Sequence, residues 1–205
     1  MMNTLYYVHD PMCSWCWAFR PVMLQLREHL PSGIRWINVL GGLAPDTDQS
    51  MPDAVRRMVQ GHWRPSQAPV GTEFNVDVGD KCQPRRDTSP AGRAVLAAAR
   101  QGAEEAMIEA IQRAYYLRAM NPSEPETLAD LADELGLDRV LFTRDFKSAV
   151  TDAELQRQFQ LRRDLQVRSF PSLVMEHSTG YGLIQHDYRD YRGMLRQILK
   201  QWGQP

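Results

Sequence analysis

Cys13 and Cys16 stand three positions apart in the run Asp10-Pro11-Met12-Cys13-Ser14-Trp15-Cys16-Trp17, and the 205-residue chain has one further cysteine, Cys82. Two thiols at this spacing can exchange electrons as a dithiol–disulfide couple, share a metal ion, form a static crosslink, or fall at that spacing by chance. A four-ligand zinc site would have to recruit Cys82 and a histidine such as His9 or His62, and there is no second CxxC and no CxxxH to frame it. A crosslink between residues three apart closes too small a loop to constrain the unfolded chain much. Exchange chemistry needs one exposed, readily ionised thiol to attack and a partly shielded second thiol to resolve the mixed disulfide.

The flanking sequence supplies that asymmetry. Leu5-Tyr6-Tyr7-Val8 is a short apolar and aromatic run of strand character. After the pair, Trp17, Val22, Leu24, Leu26 and Leu30 keep an apolar face at helical spacing up to Pro31-Ser32-Gly33. The pair therefore falls where a strand hands over to a helix. Its first cysteine lies at the open N-terminal end of that helix, where unpaired N–H groups and the helix dipole favour a thiolate. The second rises on the same side one turn later, within disulfide reach. This context favours redox chemistry over the other three readings.

The remaining bounds agree with a soluble enzyme. Net charge is −1, so no global bias points to nucleic acid or an acidic membrane surface. The N-terminus lacks a basic region, an apolar run and a small-residue cleavage site, and no stretch approaches a membrane span. Three cysteines, an odd number, argue against a secreted disulfide scaffold. The expectation is a cytoplasmic protein that binds neither membrane nor nucleic acid.

Taken in order, the chain reads β-α-β: about Thr4–His9, then Cys13 or Ser14 to Leu30, then Ile34–Leu40, a parallel pair with a right-handed crossover. A helical stretch follows. Pro52 to about Gln60 reads as a short helix, and 63–88 is irregular and contains Cys82. Further helices are expected from Ser89-Pro90 to Gly102, Glu104 to about Met120, a Ser123/Glu126 capping box to Gly136, about Asp138–Lys147, and a Thr151/Glu154 capping box to about Leu165. The end returns to α/β character. Ser172–Met175 forms a strand after Pro171, Gly180 and Gly182 break a hairpin, and a terminal helix runs from Tyr188 to Trp202. The fold class is α/β, with residues 1–42 and 151–205 forming one domain around an all-helical insertion, 43–150.

A CxxC opening the first helix, a βαβ unit, a helical insertion and an X-Pro before the third strand together resemble the DsbA-type branch of the thioredoxin superfamily. The spacing Asp10-x-x-Cys13-x-x-Cys16-Trp17 is similar to that of FrnE-like members, and the run Cys13-Ser14-Trp15-Cys16-Trp17 to predicted cytosolic protein-disulfide isomerases. The likeness covers nearly the whole chain in element order, while its sharp residues are Cys13, Trp15, Cys16 and Phe170-Pro171. It implies a thioredoxin-like fold with a cis Pro171 facing the dithiol, Cys13 as nucleophile and Cys16 as resolving thiol. It also implies that the Phe170 backbone pairs with a substrate strand, so that Ser14, Trp15, Phe170 and Pro171 bind substrate. No bound cofactor or metal is implied, and glutathione is the candidate redox partner. The implied partners are thiol- or disulfide-bearing proteins and a cellular thiol reductant, with the protein a monomer. Two departures stand out. Ser14-Trp15 replaces the Pro-His dipeptide of the strong oxidant, so the motif does not give a redox potential. Tyr7 occupies the position six residues before the first cysteine where many relatives have a buried acid, which leaves His9 or Asp10 as candidates to tune the thiolates.

Several residues carry competing readings. Asp10-Pro11 could simply form the turn into the helix. Cys82 could relay a disulfide or be an isolated loop thiol. Trp15, Trp17 and Phe170 could build an apolar platform, although the preferred arrangement packs Trp17 in the core and leaves Trp15 exposed. His177 and His186 read as surface residues. Three functions follow, in this order. The first is a disulfide oxidoreductase or isomerase acting on proteins. The second is a small-molecule enzyme on the same fold, like kappa-class glutathione transferases and 2-hydroxychromene-2-carboxylate isomerases, which typically have a serine where Cys13 stands. The third is a non-enzymatic peptide-binding module working through the helical insertion.

Overall fold

The computed structural model describes residues 3–44, 72–74, 87–178 and 180–203. The short helix expected at Pro52–Gln60 and the thiol of Cys82 lie outside them. Four strands form one mixed sheet in the order β2-β1-β3-β4. They are β1 (Asn3–His9), β2 (Ile34–Leu40), β3 (Ser172–His177) and β4 (Gly180–Ile184). β1 runs parallel to β2, with Tyr7 opposite Asn38, and antiparallel to β3, with Tyr7 opposite Leu173. As a central strand β1 is buried on both faces, which its unbroken run Leu5–Val8 already suits.

Two helices cover one face. α1 (Ser14–Glu28) and α7 (Tyr191–Trp202) bring Phe19, Val22, Met23, Leu26, Met194 and Ile198 against Leu5, Tyr7, Leu173 and Met175. The helices α2 (Ser89–Ala99), α3 (Glu104–Leu117), α4 (Pro125–Glu134) and α5 (Arg139–Phe146) follow β2 and share a separate core of Met107, Ile111, Leu128, Leu131 and Phe142. Met12, Trp17 and Leu40 reach into that same core, so the dithiol turn is packed against the helical block. α6 (Ala149–Asp164) closes the block, and the chain leaving it lays Leu165 and Val167 on the second sheet face, against Tyr6, Val8, Val39 and Val174.

Neither expected capping box forms: α4 has no side-chain cap at its start, and a different residue caps α6. α4 begins at Pro125 after Glu124, because the Ser123 hydroxyl donates to the Asp87 carbonyl at 3.1 Å. α6 begins three residues early, at Ala149, because Ser148 rather than Thr151 caps it, accepting from the Thr151 N–H at 3.1 Å. The terminal helix starts at Tyr191, where the Asp190 side chain caps it by accepting from Arg192 N–H at 2.9 Å. Tyr188 thus belongs to the loop, free to turn towards α1.

Gly41, just past β2, donates to the His9 carbonyl at 2.6 Å and lies directly under the Phe170 ring. A Cβ there would overlap the ring outright. We expect Gly41→Ala to cost about 2 kcal/mol, through displacement of an aromatic side chain from its seat. Urea unfolding should show a lower midpoint with an unchanged denaturant slope; an unchanged midpoint would mean that the ring has another place to pack.

Candidate active site

The site begins where β1 runs out. Asp10, Pro11, Met12 and Cys13 make a four-residue turn, closed by Cys13 N–H donating to the Asp10 carbonyl at 3.0 Å, with proline in the second position. The buried Asp10 carboxylate holds this turn from inside. One oxygen accepts from Met12 N–H at 2.9 Å; the other accepts from Leu43 N–H and from the Thr88 hydroxyl, both at 2.8 Å. Burial pushes the Asp10 carboxyl up, and these three donors pull it back. From α3, the buried Tyr116 hydroxyl donates to the Met12 carbonyl at 2.7 Å. Asp10 thus forms the turn into α1, ties it to the chain after β2 and to the start of α2, and its charge also acts on Cys16, raising that thiol.

Cys13 is the residue before α1, extended at φ −85° and ψ 118°, with no side-chain cap on the helix. Cys13 and Cys16 are both free thiols, 5% and 0% exposed. The Cys13 Sγ donates to the Phe170 carbonyl at 3.7 Å. Burial pushes the Cys16 thiol well up, and its contact with Cys13 adds to the rise. Burial pushes the hydroxyl of Tyr7, enclosed on β1, well up, and the nearby thiols of Cys16 and Cys13 add to the rise. Ser14 opens α1 and is half-buried.

Phe170 and Pro171 form the opposite wall, joined by a cis peptide bond. The Phe170 ring turns away from the tryptophans, onto Gly41 and the apolar residues of the second sheet face. The apolar platform considered for Trp15, Trp17 and Phe170 is therefore not built. Trp17 is buried, stacked on Tyr116 at 6.1 Å, and its indole N–H donates to the Glu73 carbonyl at 2.9 Å. Trp15 is half-buried rather than exposed, because Tyr188 meets it edge-on at 5.4 Å.

Two aromatic residues packed on Phe19 escape a reading by periodicity. Tyr188 reads as the start of the last helix, yet it leans on Trp15 and Phe19 beside the thiols. His186 reads as a surface residue, yet it is half-buried against Phe19 and Tyr188, and burial lowers its basicity. His9 is fully buried and stacked flat on Tyr7 at 4.9 Å. Neither of its ring nitrogens has a hydrogen-bond partner among the described residues. Among those residues, no cluster of three or more His, Cys, Asp or Glu side chains is placed to hold a metal ion, and no helix is long and apolar enough to cross a membrane.

The thioredoxin family model matches residues 6–194. Among solved structures, a candidate protein disulfide isomerase from Nitrosomonas europaea is similar at 30% identity and a TM-score of 0.84, over 98% of each chain. The cytosolic disulfide reductase DsbM from Pseudomonas aeruginosa is similar at 26% identity and a TM-score of 0.78, over 96% of this chain and 98% of that one. The same reductase, solved with GSH, is similar at 25% identity and a TM-score of 0.78, over 96% and 99%. No curated protein sequence matches the chain.

Burial lowers His9 from the usual 6.5 to about 4; Glu105 opposes that shift and Arg20 adds to it. In the unfolded chain the ring takes a proton near its ordinary value, whereas the folded protein resists until about pH 4. The unfolded state therefore gains protons first, and stability falls as pH drops through this window, by roughly 3 kcal/mol for this residue. His9→Phe, which keeps a ring against Tyr7, should lose less stability between pH 7 and pH 4.5 in urea unfolding. An equal loss in both proteins would clear His9 of the effect.

Proposed function

This chain belongs to the thioredoxin family, and we propose that within it the protein is a thiol–disulfide oxidoreductase working through Cys13 and Cys16. The observation that carries this reading is the pair of free thiols at the first turn of α1, one facing the Phe170 carbonyl and the other sealed behind it. Cys13 attacks a disulfide of the substrate, a sulfur–sulfur bond forms to Cys13, and the first substrate thiolate leaves. Cys16 then gives up its proton and attacks the Cys13 sulfur. The Cys13–Cys16 disulfide closes and the second substrate thiolate leaves. A cellular thiol reductant restores the dithiol.

The unequal surroundings of the two sulfurs support this division. Cys16 is wholly enclosed and hard to ionise, which suits a group that acts only after a mixed disulfide has formed next to it. Ser14 and Trp15 on one side and Phe170 and Pro171 on the other are the proposed substrate contacts. An extended substrate strand would offer an N–H to the Phe170 carbonyl, in place of the Cys13 thiol. Disulfide reduction or isomerisation is the proposed direction, because a reducing compartment keeps the pair as a dithiol. The cytoplasmic assignment and glutathione as redox partner rest on the likeness to the Pseudomonas reductase, which is described as cytosolic and has been solved with GSH. The protein is proposed to act as a monomer. The transferase-like alternative is not favoured, since a cysteine rather than a serine stands at position 13 and a second thiol lies beside it.

Cys13→Ser should abolish disulfide-reductase activity. Cys16→Ser should instead accumulate a mixed disulfide on Cys13 when mixed with a disulfide substrate, read by intact mass. A redox titration against glutathione, followed by the fluorescence of Trp15 and Trp17, should show a reversible two-electron transition in the wild type. Full activity of Cys13→Ser, or no transition in that titration, would overturn the reading.

A further inference from the structure

α6 ends beside the Pro171 loop, and its last turn carries Arg162 and Arg163. Arg163 is engaged by Gln160 on its own helix, at 2.7 and 3.0 Å. Arg162 is not held in this way. It enters no ion pair among the described residues, and its Nε is buried with no hydrogen-bond partner among them. Its guanidinium lies instead over the Phe170 ring, 5.9 Å from the centroid. The favourable effect of a basic residue on the negative end of α6 accounts for neither feature, because Arg163 provides the same charge without approaching the ring.

Phe170 links this arginine to the chemistry. Its carbonyl accepts from the Cys13 sulfur at 3.7 Å, and its ring, seated on Gly41, faces Arg162. A single residue therefore separates the attacking sulfur from a cation with no ion-pair partner among the described residues. A guanidinium stacked on an aromatic face can still use its N–H edge, and its planar fork matches a carboxylate. An extended substrate chain advances roughly 3.5 Å per residue and its side chains lengthen that reach, so a carboxylate near a bound cysteine would be carried along Phe170 towards Arg162.

We propose that Arg162 is a carboxylate subsite of the dithiol, receiving a carboxylate of a peptide thiol or disulfide whose sulfur is engaged by Cys13. This rests on the oxidoreductase reading and adds to it a class of preferred partner: short, anionic, cysteine-containing peptides rather than neutral disulfides. In the reaction that tests it, the reduced protein is oxidised to the Cys13–Cys16 disulfide while the added disulfide is reduced to two thiols, so no other electron acceptor is needed.

The probes are glutathione disulfide, which carries carboxylates, and bis(2-hydroxyethyl) disulfide, which carries none. Oxidation of the reduced protein by each would be followed in stopped flow by tryptophan fluorescence. For Arg162→Met, the glutathione disulfide concentration giving the half-maximal rate should rise about tenfold, as expected for loss of a charge-assisted hydrogen bond. The maximal rate, and the whole profile with the hydroxyethyl compound, should stay as in the wild type, and Arg162→Lys should recover part of the loss. An unchanged half-maximal concentration for glutathione disulfide would overturn the proposal. So would an equal loss with both disulfides, which would make Arg162 only a support for Phe170. A wild type oxidised by neither compound would overturn the oxidoreductase reading itself, and this one with it.

Discussion

The Asp10 carboxylate is the interaction on which the rest of the site depends. It takes donors from three parts of the chain: Met12 inside the turn, Leu43 after β2, and Thr88 before α2. A carboxylate is well suited to this, since it offers only acceptors and can satisfy several donors in a small volume. Each such bond, being to a charged group, contributes on the order of 1.5–3 kcal/mol. The cost is burial of a charge, visible in the upward displacement of its titration. The result is that Cys13 emerges from the sheet at a fixed point, with sheet, helical block and turn referred to one group.

From that point, two chemically identical side chains, both buried, meet different surroundings. Cys13 sits on the last extended residue before α1, within reach of the Phe170 carbonyl. Cys16, a turn further in, is enclosed by the protein, with Tyr7 and Tyr188 close enough to feel its charge. Burial and the neighbouring Cys13 do most to raise the Cys16 thiol, and the Asp10 charge adds to the rise. The position of the helix terminus and the depth of the first turn set these surroundings, and both follow from where β1 ends.

Much of this was legible in the sequence, and the failures have a common cause. The strands, the α1 register and the dithiol at its start depend on local signals: the apolar run Leu5–Val8, the spacing of Trp17, Val22 and Leu26, and the Pro31-Ser32-Gly33 breaker. Neither capping box forms, because a spacing cannot reveal competing partners. Ser123 has the right neighbours in sequence but spends its hydroxyl on Asp87, 36 residues away. Asp10 kept two readings in the sequence for the same reason, since Thr88 and Leu43 become its neighbours only on folding. Tyr188, placed on a helix by periodicity, was released by Asp190 taking the cap, and so came to lie against Trp15. The Phe170 ring went to Gly41 because a missing Cβ leaves a seat that no pattern of hydrophobicity records.

That seat has a consequence for descent. Positions 41 and 170 lie on separate segments, after β2 and before β3, yet the space that one gives up is the space that the other fills. Neither can drift alone: a side chain at 41 evicts the ring, and a small residue at 170 leaves a hollow beside the loop that faces Cys13. In lineages related to this protein the two positions should change together, as a single inherited choice between glycine with a large ring and a larger residue with a small one. Because the Phe170 carbonyl meets the reactive sulfur, that choice would also record how each lineage shaped the wall opposite its dithiol.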